Sequence, residues 1–367
     1  MTGDASSPGF AAPVFALLAG GGTGGHTYPA IAVAQELQRR GHRVRFVGGK
    51  RGIEGRVVPE AGFEIDLLPG RGLQRRLTVQ NLSAVWGALS AVFRSLAIVR
   101  RHRPRIVVGF GGYASFPCVL AARLLRVPVV VHEQDAAPGL ANRLGVRLGA
   151  RPAVSLPDTP LPGATLTGNP VRAAFTRLAR DPARDPALIA VFGGAQGART
   201  INRAALGCYD IWRDRTDLAI RHVCGPRNLE TCTAELAAAR RAGDSLHYEL
   251  VGYEERMDLL YSEAAIAVCR SGAGTIAELT AVGLPAVLVP LPGAPSDHQT
   301  RNAQTLERAG AAVMLRDDCC DAPHLDRAVS DLLGDADRLS DMGRAAHALG
   351  RRDAAERLAD LVEEHAR

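Results

Sequence analysis

Short apolar runs alternate along this chain with amphipathic stretches of helical period, and glycine-rich segments connect many of them. The short runs fit buried strands, and the longer stretches fit helices. In the first half, strands are predicted over 14–19, 42–48, 106–109 and 127–132. The alternation restarts at residue 188, and further strands are predicted over 218–224, 248–251, 266–269, 286–290 and 312–315. Helices are predicted over 29–40, over 82–99 and from 322 onward. This alternation is typical of α/β folds with doubly wound parallel sheets.

One construction occurs four times: an apolar strand runs into a glycine-rich loop that opens a helix, over 15–29, 106–117, 188–200 and 266–279. Glycine lets backbone N–H groups approach a ligand closely, and the helix N-terminus adds a partial positive charge. Both features favour phosphate. Glycines also make tight strand-to-helix turns, but two such loops in each half indicate two phosphate-handling domains.

Proline-rich breakers at 151–172 and 181–186 interrupt the pattern, and 367 residues are enough for two domains. The predicted domains are 1–168, with 1–12 flexible, and 169–349, with a C-terminal helix at about 350–367 that packs back on the first domain. The predicted fold class is therefore α/β, with two doubly wound, Rossmann-like domains facing an interdomain cleft. Ligands are expected in that cleft, beyond the carboxyl ends of the strands.

The stretch 82–99 has apolar side chains at the i, i+3, i+4, i+7 spacing of an amphipathic helix, which most often faces a core. The apolar positions are Leu82, Val85, Trp86, Leu89, Val92, Phe93 and Leu96. Arg94 interrupts the stretch, so no membrane span is predicted. The segment 71–82 sets apolar residues among three arginines, which suits docking on anionic lipid headgroups.

Charge is distributed unevenly along the chain. Residues 1–168 hold 20 basic and 9 acidic residues, whereas residues 169–367 hold 24 and 29. No acidic residue occurs between Asp66 and Glu133, a span with ten arginines. This points to an anionic partner of the first half, and a nucleic acid is disfavoured because no aromatic residues interleave a basic stripe. Seven cysteines without a C-x-x-C pair predict a reduced, cytosolic protein without a zinc site.

Taken literally, Gly20, Gly22 and Gly25 match the dinucleotide fingerprint G-x-G-x-x-G. A NAD enzyme would then carry an acidic residue at the end of the second strand for the ribose hydroxyls. That strand ends in VGGKR instead, so only a 2′-phosphorylated cofactor fits. An NADP-dependent oxidoreductase is therefore an alternative, although it leaves the glycine loops of the second half unexplained.

The fourth loop suits a nucleotide sugar better. Ser271–Thr275 offer N–H groups and hydroxyls at a helix N-terminus for a diphosphate, and Glu278 follows one turn later, where a carboxylate can accept hydrogen bonds from both ribose hydroxyls. The spacing from Thr275 to Glu278 also fits a capping box, which is the alternative for Glu278. Donors and acceptors for sugar hydroxyls follow at His298, Gln299 and Asn302.

Several motifs occur together: GGGTGGHTYPA, GGYASFP, HEQ at 132–134, GNPVR at 168–172, GGAQGAR at 193–199, RSGAGTIAELTAVGLPAVLVPLP at 270–292 and HQTRNA at 298–303. In this order they resemble the MurG family, the UDP-GlcNAc:lipid I glycosyltransferases of peptidoglycan synthesis, over residues 14–350. The resemblance implies a GT-B fold and inverting transfer of GlcNAc from UDP-GlcNAc to the C4 hydroxyl of MurNAc in lipid I, giving lipid II. It implies a donor-binding second domain and a first domain that holds the acceptor at the membrane. The protein is thus expected to be peripheral on the cytoplasmic face.

The resemblance also implies roles for individual residues. His26 is the candidate general base for the acceptor hydroxyl, because an imidazole with an ordinary pKa of about 6.5 takes a proton near neutral pH; alternatively it only orients a phosphate or caps the helix. Arg172 is expected to meet the donor, Glu278 to hold the ribose, and Glu254 with Tyr253 to lie at the uracil. The other implied substrate-binding positions are Thr23, Gly24, Gly25, Asp135, Ala195, Gln196, Ser271, Ala273, Gly274, Thr275, His298, Gln299 and Asn302.

No D-x-D motif follows a strand, so the predicted chemistry needs no protein-bound metal and no cofactor. Stabilisation of the departing UDP is then expected from loop amides, the helix dipole and Arg172 or Arg270.

Two positions depart from the family pattern. Many relatives have Asn after HEQ, where this chain has Asp135, and GGSQGAR where it has Ala195. These changes raise the alternative of a paralogue that acts on a modified precursor or a natural-product acceptor. A third class, an inactive scaffold at the membrane, would bind liposomes without sugar transfer.

Overall fold

The structure is a computed structural model that describes residues 15–50, 52–69, 80–178, 180 and 185–366. Two sheets form its framework. The strands of the first are β1 Phe15–Ala19, β2 Arg43–Gly49, β3 Ile65–Leu68, β4 Ile106–Gly109, β5 Val129–Glu133, β6 Arg151–Val154 and β7 Thr165–Leu166. Those of the second are β8 Ala187–Phe192, β9 Leu218–Val223, β10 His247–Val251, β11 Ala264–Cys269, β12 Ala286–Leu288 and β13 Ala312–Met314.

Helices connect these strands. Along the first sheet they are α1 Gly24–Arg39, α2 Glu54–Glu60, α3 Gln80–His102, α4 Ser115–Leu124 and α5 Leu140–Arg147. Further along the chain they are α6 Ala173–Thr176, α7 Arg199–Trp212, α8 Leu229–Ala239, α9 Met257–Glu263, α10 Ala273–Val282, α11 His298–Arg308, α12 Ala322–Leu333, α13 Ala336–Leu349 and α14 Ala354–His365.

The strand order explains where the four glycine loops lie. The first sheet has the order β3-β2-β1-β4-β5-β6-β7 and the second β10-β9-β8-β11-β12-β13, with parallel pairing in β1–β4 and β8–β11. The order reverses direction between β1 and β4, and again between β8 and β11. Ligands of such sheets bind at this switch point, beyond the carboxyl ends of the strands. The four glycine loops follow those four strands, so each sheet has two of them at its switch point.

The strands read as continuous apolar runs because helices cover both faces of each sheet. In β8, Ile189 and Val191 belong to one core cluster, and Leu188, Ala190 and Phe192 to the other. In the first sheet, β4 and β5 are buried at every position. This burial fixes the strands, and therefore the loops at their ends.

Chain contacts divide the protein into two compact units. Unit 1 comprises Met1–His132, Ala141–Pro152 and Glu356–Arg367, and unit 2 comprises Glu133–Leu140 and Ala153–Ala355. The sequence predicted a boundary at 168, whereas the contacts assign residues 153–168 to unit 2. They also assign most of the C-terminal helix α14 to unit 1.

Helix α1 begins at Gly24, five residues before its predicted start, with Thr23 as its N-cap. The carbonyl of Thr23 accepts hydrogen bonds from the N–H groups of His26 and Thr27, both at 3.2 Å. Pro29 lies inside the helix and has no N–H, so the helical bond to the Gly25 carbonyl is missing. The glycine loop and the first turn of α1 are therefore one element.

Helix α3 corrects part of the prediction that its apolar stripe faces the core. Leu89 is 47% exposed and Phe93 70% exposed. The buried face carries Ala91 and Ser95 instead, and the Ser95 hydroxyl lies 3.4 Å from the Cys118 sulfur of α4. Leu96 of the same stripe packs against the core of the first sheet, and Ile98 and Val99 further along the helix are buried in it. The predicted docking segment, 71–82, lies outside the residues whose side chains the structure describes.

Candidate active site

The fourth glycine loop opens α10 in unit 2. Gly272 is the N-cap, so Ala273, Gly274 and Thr275 form the first turn. The N–H groups of a first helical turn have no partners within the helix, and together with the helix dipole they favour an anion. Thr275 lies inside the helix rather than at its N-cap. The capping-box interpretation of Glu278 is therefore wrong.

Glu278 lies on α10 one turn beyond the loop, with its side chain 22% exposed. One carboxylate oxygen is 3.4 Å from a guanidinium nitrogen of Arg172. Burial raises the pKa of Glu278 to about 7, although Arg172 and Tyr261 act in the opposite direction. A hydrogen-bonded carboxylate that titrates near neutral pH, beside an anion-binding helix terminus, marks this as a site candidate.

The GNPVR motif reaches the same helix terminus. The Asn169 amide donates to the Ala273 carbonyl at 3.2 Å, and the Arg172 guanidinium lies over the Phe175 ring, 4.9 Å from its centroid. Asn169 is buried, and its carbonyl oxygen has no hydrogen-bond partner. A polar cavity of about 20 Å³, lined in part by Asn169 and Thr280, has room for one water molecule. The motif thus braces the loop from which Arg172 extends.

Asn302 of α11 is fully buried, and its amide group is occupied by protein partners. It donates to the Asp135 carboxylate at 2.8 Å and to the Ser271 carbonyl at 3.0 Å, and it accepts from the N–H of Ala136 at 2.8 Å. Asn302 therefore joins the loop after β5 to the fourth glycine loop. Its predicted contact with a sugar hydroxyl stays a prediction, as does that of Asp135. An amide oxygen could accept the same bond, so asparagine or aspartate at 135 would suit this geometry.

The neighbouring predicted residues lie close to the same loop. The Ser271 hydroxyl donates to the Gln299 carbonyl at 2.8 Å, and the Gln299 side-chain oxygen accepts from the N–H of Leu291 at 3.0 Å. The His298 ring lies 2.9 Å from the Pro295 carbonyl. The structure thus brings Ser271, Gln299 and Asn302 together.

Arg270 is only 11% exposed, and protein groups surround its guanidinium. It donates to Asp317 at 2.5 Å and to the carbonyls of Val289 and Pro290. Asp317 also accepts from the Thr200 hydroxyl of α7 at 3.3 Å. Arg270 therefore ties the third and fourth loops together. Of the two arginines expected to stabilise UDP, Arg172 is the more exposed.

The third glycine loop presents exposed residues, including Ala195 and Gln196. The Gln196 carbonyl accepts from the Asn228 amide at 3.1 Å. Glu254, expected at the uracil, is held by two guanidinium hydrogen bonds from Arg221, at 3.1 and 2.6 Å, and by the N–H of Arg256 at 3.0 Å. Although burial acts against its charge, these hydrogen bonds lower the pKa of Glu254.

A buried network of polar side chains stabilises the backbone that packs against this third loop. The ring nitrogens of His222 lie 2.8 Å from the Tyr248 hydroxyl and 3.1 Å from the Asn202 carbonyl oxygen. The Asn202 amide then donates to the Cys224 carbonyl at 2.9 Å. A Cβ at Gly197 would overlap that same carbonyl, so glycine is required there. Burial lowers the pKa of His222 to about 4.

Because the folded-state pKa of His222 lies below the ordinary value of about 6.5, the unfolded chain binds the proton first as the pH falls. The contribution to stability is present above about pH 6.5 and is lost toward pH 4. We expect the free energy of unfolding to fall by about 2 kcal/mol more in wild type than in His222→Gln between pH 7 and pH 5. Urea unfolding at both pH values measures this, and the exposed His247→Gln is the control. An equal fall in His222→Gln would contradict the assignment.

In unit 1, His26 is the third residue of α1 and lies beside the second glycine loop. A Cβ at Gly111 would approach the His26 ring to 3.3 Å. The two loops of the unit also touch, since a Cβ at Gly112 would overlap the carbonyl of Gly21. His26 thus lies at the switch point of the first sheet, where a ligand of this unit is expected.

Two residues with clear structural roles were not identified from the sequence. Arg180 donates to the carbonyls of Ala264, Ala265 and Gly283, and burial lowers its pKa to about 10. No motif marks it, because its partners are backbone atoms. Glu54 belongs to no recognised motif either, but its carboxylate accepts a hydrogen bond from the N–H of Gly22 in the first glycine loop and one from the N–H of Gly49 at the end of β2. The glycine-rich end of β2, only a few residues earlier, was the available signal.

Both halves of the chain match models of known protein families. The glycosyltransferase family 28 N-terminal domain matches residues 16–153, and the family 28 C-terminal domain matches residues 188–358. A relative from Acidothermus cellulolyticus is 42% identical, with 95% of this chain and 97% of the relative covered. One from Alkalilimnicola ehrlichii is 40% identical, with 96% and 99% covered. Both are named UDP-N-acetylglucosamine–N-acetylmuramyl-(pentapeptide) pyrophosphoryl-undecaprenol N-acetylglucosamine transferase.

Among solved structures, the crystal structure of Acinetobacter baumannii MurG is similar, with a TM-score of 0.79, 30% identity, and 96% of this chain and all of that chain covered. The calicheamicin glycosyltransferase CalG4 has a TM-score of 0.65 at 19% identity, which shows a shared fold alone. The two family domains together span most of the described residues, and the near-full-length relatives have the same name. The chain therefore belongs to glycosyltransferase family 28 and, within it, to the MurG family.

Proposed function

We propose that this chain transfers GlcNAc from UDP-GlcNAc to the C4 hydroxyl of MurNAc in lipid I, with inversion, to give lipid II. The family relatives bear the name of this activity. The alternative of an NADP-dependent oxidoreductase has no support from them. The observation that carries the proposal is the carboxylate of Glu278, one turn beyond the anion-binding end of α10.

Unit 2 is the proposed donor site. The first-turn N–H groups of Ala273, Gly274 and Thr275 would bind the diphosphate, while Glu278 accepts hydrogen bonds from the ribose hydroxyls. Arg172, now 3.4 Å from Glu278, would turn toward the diphosphate as the ribose takes its place. An arginine beside a departing diphosphate stabilises the charge that develops there.

Unit 1 is the proposed acceptor site, with His26 as the general base. The imidazole takes the proton from the C4 hydroxyl while that oxygen attacks C1 of GlcNAc, and the bond between C1 and the phosphate oxygen breaks. UDP leaves with the electron pair of that bond. A single displacement at C1 inverts its configuration, which gives the β-linkage.

Release of UDP tests this function directly. Purified protein is expected to release UDP only when UDP-GlcNAc and a lipid I analogue are both present, with much weaker release from UDP-GalNAc. A product of the mass of the disaccharide lipid must accumulate at the same rate. Binding of the lipid without any UDP release would support the scaffold alternative and refute the proposal.

We also propose that unit 1 binds peripherally to an anionic, cytoplasmic membrane surface. Within the described ranges, no helix is both long and apolar enough to cross a bilayer. The exposed face of α3 instead presents Leu89 and Phe93 next to Arg94, with Arg101 two turns further. Apolar groups among arginines combine insertion with attraction to anionic headgroups. All seven cysteines are free thiols, which suits a reducing compartment.

Serine at both Leu89 and Phe93 is expected to weaken binding to vesicles with 30% anionic lipid at least tenfold. Each substitution removes an apolar side chain whose complete burial would contribute about 1.5–3 kcal/mol to the free energy of membrane binding. Vesicle co-sedimentation measures the partition. Ile211→Ser, which removes an equally exposed apolar side chain from α7, is the matched control. Unchanged partition of the double variant would show that this face does not insert.

A further inference from the structure

Glu54 is the first residue of α2, and its side chain is almost completely buried, with 2% exposure. One carboxylate oxygen accepts a hydrogen bond from the N–H of Gly22 at 2.9 Å, and the other accepts from the N–H of Gly49 at 2.8 Å. Gly22 belongs to the first glycine loop, and Gly49 ends β2. The carboxylate therefore joins two loops at the carboxyl ends of neighbouring strands.

Glycines surround this carboxylate. A Cβ at Gly21 or Gly52 would overlap its oxygens, and one at Gly48 would overlap its Cγ. The backbone of Gly21 and Gly22 also has positive φ angles, of 152° and 95°. Three glycines of the GGG and VGGKRG segments are thus needed to make room for one side chain. In this part of the chain, the glycine pattern encloses an internal carboxylate.

This arrangement changes what the first loop can bind. In a dinucleotide site, the N–H groups of such a loop face a pyrophosphate. Here the N–H of Gly22 is taken by a carboxylate, and a phosphate at that N–H would meet a like charge. The sequence predicted that the glycine loops of both domains bind phosphate, but phosphate binding is disfavoured at the N–H of Gly22. At this one N–H group the first loop offers a carboxylate-bound donor and no open position for an anion.

The loop leads directly to the proposed base. After Gly22, the carbonyl of Thr23 accepts from the N–H groups of His26 and Thr27 and so starts α1. The hydrogen bond to Glu54 fixes the peptide between Gly21 and Gly22, one residue before Thr23. Movement of that peptide would tilt the first turn of α1, which carries the His26 ring.

We propose that Glu54 is a positioning residue, whose carboxylate holds the first glycine loop and thereby orients His26 for the reaction. This inference rests on the proposed function of His26. Glu54 contacts no substrate. It acts through the N–H of Gly22, and an anion of its size in the same cavity would do the same.

Chemical rescue tests this role. Glu54→Ala is expected to lower kcat at least 30-fold, while the KM for UDP-GlcNAc, bound by the other unit, changes less than twofold. Sodium formate at 100 mM should restore kcat at least fivefold, because formate fits the vacated cavity and accepts the same two hydrogen bonds. Sodium chloride at equal ionic strength should restore nothing. Glu60→Ala, at the exposed end of the same helix, is the matched control and should keep full activity.

A second measurement separates this proposal from the proposed function. In Glu54→Gln, one N–H must face an amide NH₂ group instead of an oxygen, so hydrogen exchange in the peptide 20–25 should accelerate at least tenfold. His26→Gln should leave that exchange unchanged. If wild type transfers no GlcNAc, the proposed function fails, whereas the exchange result still tests the hold on the loop.

Two outcomes would overturn the proposal. One is wild-type kcat in Glu54→Ala, or a loss of kcat that formate and chloride restore equally. The other is wild-type exchange at 20–25 in Glu54→Gln. If the alanine variant does not fold, Glu54→Gln serves for the kinetic test as well. Its kcat is expected to fall at least tenfold, and a wild-type kcat would refute the proposal.

Discussion

Replacing His26 with glutamine is expected to lower kcat about a thousandfold, with the KM for UDP-GlcNAc changed less than threefold. Positioned general bases contribute 10²- to 10⁴-fold to rate. Glutamine keeps a similar length and a hydrogen-bonding head, but it cannot take the proton of the acceptor hydroxyl. The donor site belongs to unit 2, so its affinity should not respond.

Steady-state UDP release with varied donor and acceptor measures both constants. His247→Gln, an exposed histidine of β10, controls for loss of an imidazole elsewhere. If kcat stays above a tenth of the wild-type value while the acceptor KM rises, His26 only orients the acceptor.

Replacing Glu278 with glutamine is expected to weaken UDP binding about 30-fold. A hydrogen bond to a charged group contributes about 1.5–3 kcal/mol, and glutamine retains only one acceptor oxygen. UDP with a 2′-deoxyribose separates this effect from a general disturbance. Wild type should bind it more weakly than UDP, whereas Glu278→Gln should distinguish the two much less.

The same site should make donor binding depend on pH. The pKa of Glu278 is about 7 in the ligand-free protein, raised by burial and opposed by Arg172 and Tyr261. Ribose hydroxyls donate to the ionised form, so binding favours release of the proton. The affinity for UDP-GlcNAc, whose two phosphates carry no titrating proton in this range, should therefore rise about tenfold from pH 6 to pH 8, the range over which a group with this pKa ionises.

Calorimetric titration with UDP-GlcNAc at several pH values, without acceptor, measures this dependence. Glu278→Gln should show a flat profile, and Glu235→Gln, an exposed carboxylate of α8, should behave as wild type. A flat profile in wild type, together with unchanged affinity in Glu278→Gln, would remove Glu278 from the ribose site. The diphosphate end of the site would then need another anchor.

Much of the framework could be predicted from the sequence. The apolar runs located most of the long strands to within a residue or two, because strands covered on both faces must be apolar throughout. Short or polar-edged elements such as β3, β6 and α2 were missed, since they lack that signal. The ordered motifs predicted the family, and the comparisons confirm it.

Side-chain partners could not be predicted in the same way. The stripe of α3 was expected to face inward, but Leu89 and Phe93 are exposed, whereas Leu96 packs against the core. The hydrogen bonds of Asn302 with Asp135, Ala136 and Ser271 could not be predicted either, and its expected contact with a sugar stays a prediction. Periodicity shows which residues lie on the same face of a helix, but it does not show which face packs against the rest of the protein.

The sequence by itself determined two parallel α/β sheets, four glycine loops at strand ends and the carboxylate one turn into α10. These features depend on local propensity and on helical spacing, and both are encoded by residues that lie close together in the sequence. Only the tertiary structure decided that Glu54 fills the first loop, that His222 supports the third and that Arg172 meets Glu278. Each of these contacts joins residues at least 20 positions apart, and no local pattern encodes such a pairing.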